Sequence, residues 1–153
     1  MKKSLSAAYR YLSYRARSYS ETQDHLKQKE YPASIVNQTL KNLVQYGYLN
    51  DEKFALDWGR SRIANKKFGP YRLRQDLLGK GLARELVDQT LTSLYAEVDE
   101  EELAQLAAEK KAHQLRGVDP IVKRRRLIQF LQRKGFPADI IFKTVNHLIA
   151  DTY

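Results

Sequence analysis

Three stretches decide the fold: Leu26–Leu43, LKQKEYPASIVNQTLKNL; Leu77–Leu94, LLGKGLARELVDQTLTSL; and Leu131–Leu148, LQRKGFPADIIFKTVNHL. They align without a gap, the second 51 residues after the first and the third 54 after the second. Lys29, Lys80 and Lys134 coincide, followed by Glu30, Gly81 and Gly135, then by the bulky apolar Tyr31, Leu82 and Phe136. Ile35, Leu86 and Ile140 share the next column, then Val36, Val87 and Ile141, then Leu40, Leu91 and Val145, and last Leu43, Leu94 and Leu148. Apolar residues at i, i+1, i+5 and i+8 form a stripe that one helix face can hold, and three copies in register mark an internal repeat.

Outward from these stretches, each unit reads as three helices. In the first, Leu5 to Arg17 predicts a helix, and Ser18-x-x-Glu21 is a capping box that starts a second. Pro32 suits the first turn of a third helix, which Gly47 ends. In the second unit Asn50 is an N-cap, with Asp51 and Glu52 in the electropositive first turn. Phe54, Leu56 and Trp58 begin its buried side, Gly69-Pro70 restarts the chain, and Gly79 with Gly81 closes the next helix before Ala83 to Tyr95. In the third, the acidic run Asp99 to Glu102 reads as a charged first turn, Asp119-Pro120 as a cap, and Pro137 to Ala150 as the last helix. The reading is all-α: three tandem three-helix repeats (1–49, 50–98 and 99–153) stacked into an elongated, curved array. Because a unit of this size buries little alone, stacking against its neighbours is expected to complete each core.

The composition closes off most chemistry. There is no Cys, so disulfides and thiolate metal sites are excluded. His25, His113 and His147 stand far apart and read as surface or packing residues. Gly79-Lys80-Gly81 lacks the spacing of a phosphate-binding loop, and no nucleophile–base pair can be picked out. No catalytic, cofactor or metal residue is therefore assigned. No apolar run approaches the roughly 20 residues that span a bilayer, and the start has no signal-peptide core, so a cytoplasmic protein is expected.

The charge carries the functional information. A net charge of +9, from 27 Lys+Arg against 18 Asp+Glu, favours a polyanionic partner, the plainer alternative being a solvated cationic surface. The basic residues cluster as Arg10, Arg15 and Arg17; as Arg60, Arg62, Lys66, Lys67, Arg72 and Arg74; and as Arg116, Lys123, Arg124, Arg125, Arg126, Arg133 and Lys134. All of these but Arg10 and Arg116 are the candidate partner- or DNA-binding residues. A stacked array could align these clusters into a stripe. Four consecutive basic residues subtend most of a helix's circumference, so at least one of Lys123 to Arg126 must lie against protein. The Tyr residues of the first helix could stack on bases, although packing is their commoner use.

Three segments together resemble the RecX family of bacterial regulators of the RecA recombinase. They are Gly47-Tyr48-Leu49-Asn50-Asp51-Glu52-Lys53-Phe54-Ala55; Gly69-Pro70-Tyr71-Arg72-Leu73-Arg74-Gln75-Asp76-Leu77 with Lys80-Gly81; and Phe130-Leu131-Gln132-Arg133-Lys134-Gly135-Phe136. One departure is Glu30, which stands where a Gly is usual and bears on the geometry of the first turn. The resemblance implies a monomer that docks in the groove of the RecA–single-stranded-DNA filament. There it would limit filament growth, ATP hydrolysis and strand exchange, in DNA repair, recombination and the SOS response. Some family members also bind DNA themselves, and the alternative reading is a free-standing helical nucleic-acid-binding protein acting without RecA.

Overall fold

The computed structural model describes residues 1–150, so the last three residues of the third unit lie outside the described residues. The described chain forms α1 (Lys2–Tyr14), α2 (Tyr19–Gln28), α3 (Ala33–Gln45), α4 (Asp51–Lys66), α5 (Pro70–Gly79), α6 (Arg84–Ala96), α7 (Glu100–Gln114), α8 (Pro120–Lys134) and α9 (Ala138–Ala150). Among the described residues there is no strand. The helices pack as three trios in chain order, and α5 against α8 is the closely packed pair that joins two trios.

Local chemistry sets most boundaries. The Ser18 Oγ accepts the Glu21 N–H at 3.1 Å, and a Glu21 carboxylate oxygen accepts the Ser18 N–H at 3.0 Å, which completes the capping box. Asn50 and Asp99 cap α4 and α7 through the amides of Lys53 and Glu102. Pro70 and Pro120 each occupy the first turn of their helix, where a missing N–H costs nothing. Several boundaries differ from expectation, with α1, α6 and α9 starting at Lys2, Arg84 and Ala138 rather than Leu5, Ala83 and Pro137. Helix α1 stops at Tyr14 rather than Arg17, because Arg15 is extended and carries the chain to the Ser18 cap. Pro32 is the residue before α3 rather than within its first turn.

The repeated corner keeps one geometry in all three units. Glu30, Gly81 and Gly135 all take left-handed φ values, +65°, +79° and +91°. The Glu30 departure therefore leaves the backbone path unchanged and accepts the strain of a Cβ in that region.

Each trio builds its own core. Leu26, Val36, Leu40 and Leu43 centre the first, Leu73, Leu77 and Val87 the second, and Leu127, Leu131 and Val145 the third. The expectation that stacking completes every core holds only for the last two units, where Ile63 and Tyr95 pack against both clusters. On α4 the buried face is Phe54, Ala55 and Gly59, while Leu56 and Trp58 are only half-buried. The helical period explains Leu56, since a step of two residues turns about 200° away from Phe54.

Candidate functional site

The units meet at two joints built from the same parts. In each, the N-terminus of one unit's second helix abuts the corner between the second and third helices of the next unit. At the first joint the Ser18 hydroxyl donates to the Lys80 carbonyl at 2.6 Å. At the second, the Gly69 N–H donates to the Lys134 carbonyl at 2.7 Å, and the Tyr71 N–H to the Gly135 carbonyl at 3.0 Å. Approach is so close that a Cβ on Gly81 would lie 2.3 Å from the Ser20 Cβ, and one on Gly135 2.1 Å from the Arg72 backbone nitrogen.

The first joint is polar and consumes its cations. Glu21 receives Arg15 at 2.6 Å and Lys80 at 3.5 Å. Burial pushes the Glu21 carboxyl up, but the Arg15 hydrogen bond, the Ser18 N–H and the charges of Lys80 and Arg15 outweigh it and hold it below the usual range. The Trp58 indole N–H donates to Asp76 at 2.6 Å, and Arg62 lies 3.7 Å from the same carboxylate. Arg62, Lys80 and Arg15 sit 4.3, 4.7 and 5.0 Å from the Trp58 ring centroid, within cation–π range. Arg17 is likewise occupied. Its guanidinium lies 4.0 Å from the Tyr11 ring, which stacks on His25.

Cations with no ion pair among the described residues gather at the second joint. The Lys134 ammonium donates to the Lys66 carbonyl at 2.7 Å, and the Arg72 guanidinium to the Arg133 carbonyl at 3.2 Å. Arg72 and Lys134 both lie over the Phe68 ring, at 5.0 and 5.8 Å. Burial, then the like charges of Lys66 and Arg72, pull Lys134 below its ordinary value. An anion placed here would relieve that repulsion, which makes the seam a favourable seat for a polyanion. On α8, Arg126 and Arg133 are seven residues apart and so share one face about 10 Å apart, and both are exposed with Arg125 beside them. Lys134 follows Arg133 at the end of α8 and reaches the carbonyl of Lys66, the last residue of α4, with Lys67 next in the chain.

The structure thus divides the basic residues picked from the sequence. Lys66, Arg72, Arg133 and Lys134 meet at the seam, Lys67 follows Lys66 in the chain, and Arg125 and Arg126 stand exposed further along α8. Arg15, Arg17 and Arg62 hold the first unit and its joint together, Arg74 pairs with Asp88, and Arg124 donates to Asn146 at 2.6 Å. Arg60 stays exposed, 3.8 Å from Asp57. Lys123 is 7% exposed, so it leaves the surface set and is the residue that the run of four had to place against protein. No single uniform stripe of basic residues from all three units results, because the first joint uses its cations internally. Lys80 escaped the sequence-based selection, although its column with Lys29 and Lys134 was the signal that could have found it. A cavity of about 600 Å³ between the end of α3, the start of α4 and α6 is lined by Asp51, Glu52 and Glu85 with no basic residue, which disfavours an anion there.

Models of the RecX family match three consecutive segments: the first three-helix domain at residues 5–43, the second at 50–91 and the third at 99–145. A regulatory protein RecX from Trichlorobacter lovleyi is 34% identical over 139 residues, covering 88% of this chain and 88% of the relative. The chain belongs to the RecX family. A RecX from Bacillus velezensis is 34% identical across 92% of the chain, but that match spans only 53% of the relative, so the chain covers about half the length of such relatives. The crystal structure of RecX from Lactobacillus salivarius superposes with a TM-score of 0.82 at 26% identity, covering 99% of this chain and 97% of that one. In RecX terms the cationic seam is the joint between the second and third domains. No helix among the described residues is long and apolar enough to cross a membrane.

Proposed function

We propose that this RecX protein is a negative modulator of the RecA recombinase, acting in the cytoplasm by binding rather than by catalysis. It docks as a monomer in the groove of the RecA–single-stranded-DNA filament, with the seam and the outer face of α8 toward the DNA and acidic protein surface. Bridging neighbouring recombinase subunits opposes the rearrangement that accompanies nucleotide turnover and end growth. Filament extension, ATP hydrolysis and strand exchange are limited as a result, within DNA repair, recombination and the SOS response.

The observation that supports this most is the cluster of Lys66, Arg72 and Lys134 at the second joint, whose mutual repulsion an anionic groove would relieve. The second joint also suits a bridge, since apolar packing and two backbone hydrogen bonds hold its two units together. The test measures recombinase ATPase on single-stranded DNA with substoichiometric protein. Inhibition by wild type, weakened at least tenfold by Arg125→Glu with Arg126→Glu, is the expected result. Absence of inhibition at any ratio, together with tight binding to naked duplex, would shift the reading to a free-standing nucleic-acid-binding protein.

A further inference from the structure

The lysine that begins each repeated corner does different work in the three units. Lys80 reaches Glu21 of the first unit, and Lys134 reaches the Lys66 carbonyl of the second. Lys29 has no such contact among the described residues. It lines a pocket of about 390 Å³ with Lys2, Lys3 and Arg10, the other lining residues being Ser6, Ala7 and Tyr31. No carboxylate lines this pocket, and none of its four cations enters an ion pair among the described residues. Glu30, next to Lys29 in the chain, is exposed and outside the lining. The pocket is shaped as well as charged. The Tyr31 hydroxyl donates to the Lys3 carbonyl at 3.2 Å, tying the corner to α1 and holding the pocket's walls together.

Lys3, Ala7, Arg10 and Tyr14 follow one another at i, i+4, i+7 and i+11, so they form a single row along α1. Tyr14 is 78% exposed, one helical turn beyond Arg10. A concave, carboxylate-free cluster of four cations seats oxyanions. A bare aromatic ring in line with it offers what an acidic protein segment has no use for, namely a platform for a planar base.

We propose that this first-unit pocket binds the sugar–phosphate backbone of a single-stranded nucleic acid, with one base stacked on Tyr14. The site is separate from the seam between the second and third units and independent of the recombinase reading, because it needs no second protein. Phosphates fill the space among Lys2, Lys3, Arg10 and Lys29, and Tyr14 takes the base beyond the last of them. Stacking makes the site tolerant of sequence but selective for strands whose bases are unpaired.

The test titrates the full chain into a fluorescent single-stranded oligonucleotide, without recombinase, and reads anisotropy at several salt concentrations. Lys3→Glu with Arg10→Glu should weaken binding at least tenfold at low salt. It should also flatten the salt dependence by about 1.4 in logarithmic slope if two phosphate contacts are lost. Tyr14→Ala should lower affinity several-fold for the normal strand and leave an abasic strand of equal length unaffected. Arg125→Glu with Arg126→Glu, in the third unit, should change this binding less than the first-unit pair does. Far-ultraviolet circular dichroism checks that each variant remains helical, and the exposed positions of Lys3, Arg10 and Tyr14 favour that outcome. Equal binding by wild type and the Lys3/Arg10 pair overturns the site. Polyglutamate that binds more tightly than the oligonucleotide, or a Tyr14 effect that persists on the abasic strand, overturns the assignment of its ligand.

Discussion

The left-handed glycines offer an internally controlled experiment, since a positive φ occurs both with and without a neighbour pressed against it. Gly135 has a φ of +91° and would put a Cβ 2.1 Å from the backbone nitrogen of Arg72, whereas Gly47, at +79°, has nothing within 4 Å. Alanine at Gly47 should therefore cost only the left-handed penalty, about 1–2 kcal/mol. Alanine at Gly135 adds the forced opening of the joint. The two backbone bonds from Gly69 and Tyr71, worth about 0.5–1.5 kcal/mol each, would be lost, for a total of about 2–5 kcal/mol. Glu30→Gly runs the other way. It relieves the same left-handed strain but gives the unfolded chain more freedom, for a net gain of about 0.5–1 kcal/mol. Urea unfolding of the three variants, with amide exchange at Gly69 and Tyr71, measures all of this. Equal losses for Gly47→Ala and Gly135→Ala, with both amides still protected, would refute the joint as described.

Glu21→Gln should destabilise the first joint by about 1–2 kcal/mol, between the values for exposed and buried ion pairs, as measured by urea midpoint. In the wild type the folded Glu21 carboxyl titrates below its ordinary value of 4.5, so its contribution is present above that pH and is lost as pH falls through the folded value. A stability difference between wild type and variant that stays the same from pH 7 to pH 3 would argue against the pairing. Trp58 is the one tryptophan in the chain, and its emission should shift in Arg15→Ala but not in Gly135→Ala; identical spectra would remove Arg15 from the ring. Lys134→Gln should leave stability unchanged or raise it by up to about 1 kcal/mol while weakening inhibition of the recombinase, because a repelled charge favours partner binding over folding. A thermal scan and the ATPase assay on the same variant would show whether the two effects separate.

The sequence alone determined the repeat, the helical class and most helix starts. Those properties depend on residues close in the chain: apolar spacing at helical period, Ser18-x-x-Glu21, Asn50, Pro70 and Pro120 act within a turn or two of where they stand. It also located the basic clusters, and the run Lys123 to Arg126 required one member to turn inward, although not which. The tertiary structure alone decided which cations are available. Arg15 and Arg62 lie in basic runs, yet Arg15 meets Trp58 and Arg62 meets Asp76, partners brought to them by packing from other helices. Lys66, Arg72 and Lys134 come from three helical elements and become a seam only when the second and third units close on one another. A charge in a sequence is a local property, but its free energy depends on what lies within a few ångströms, and only the folded chain sets that distance.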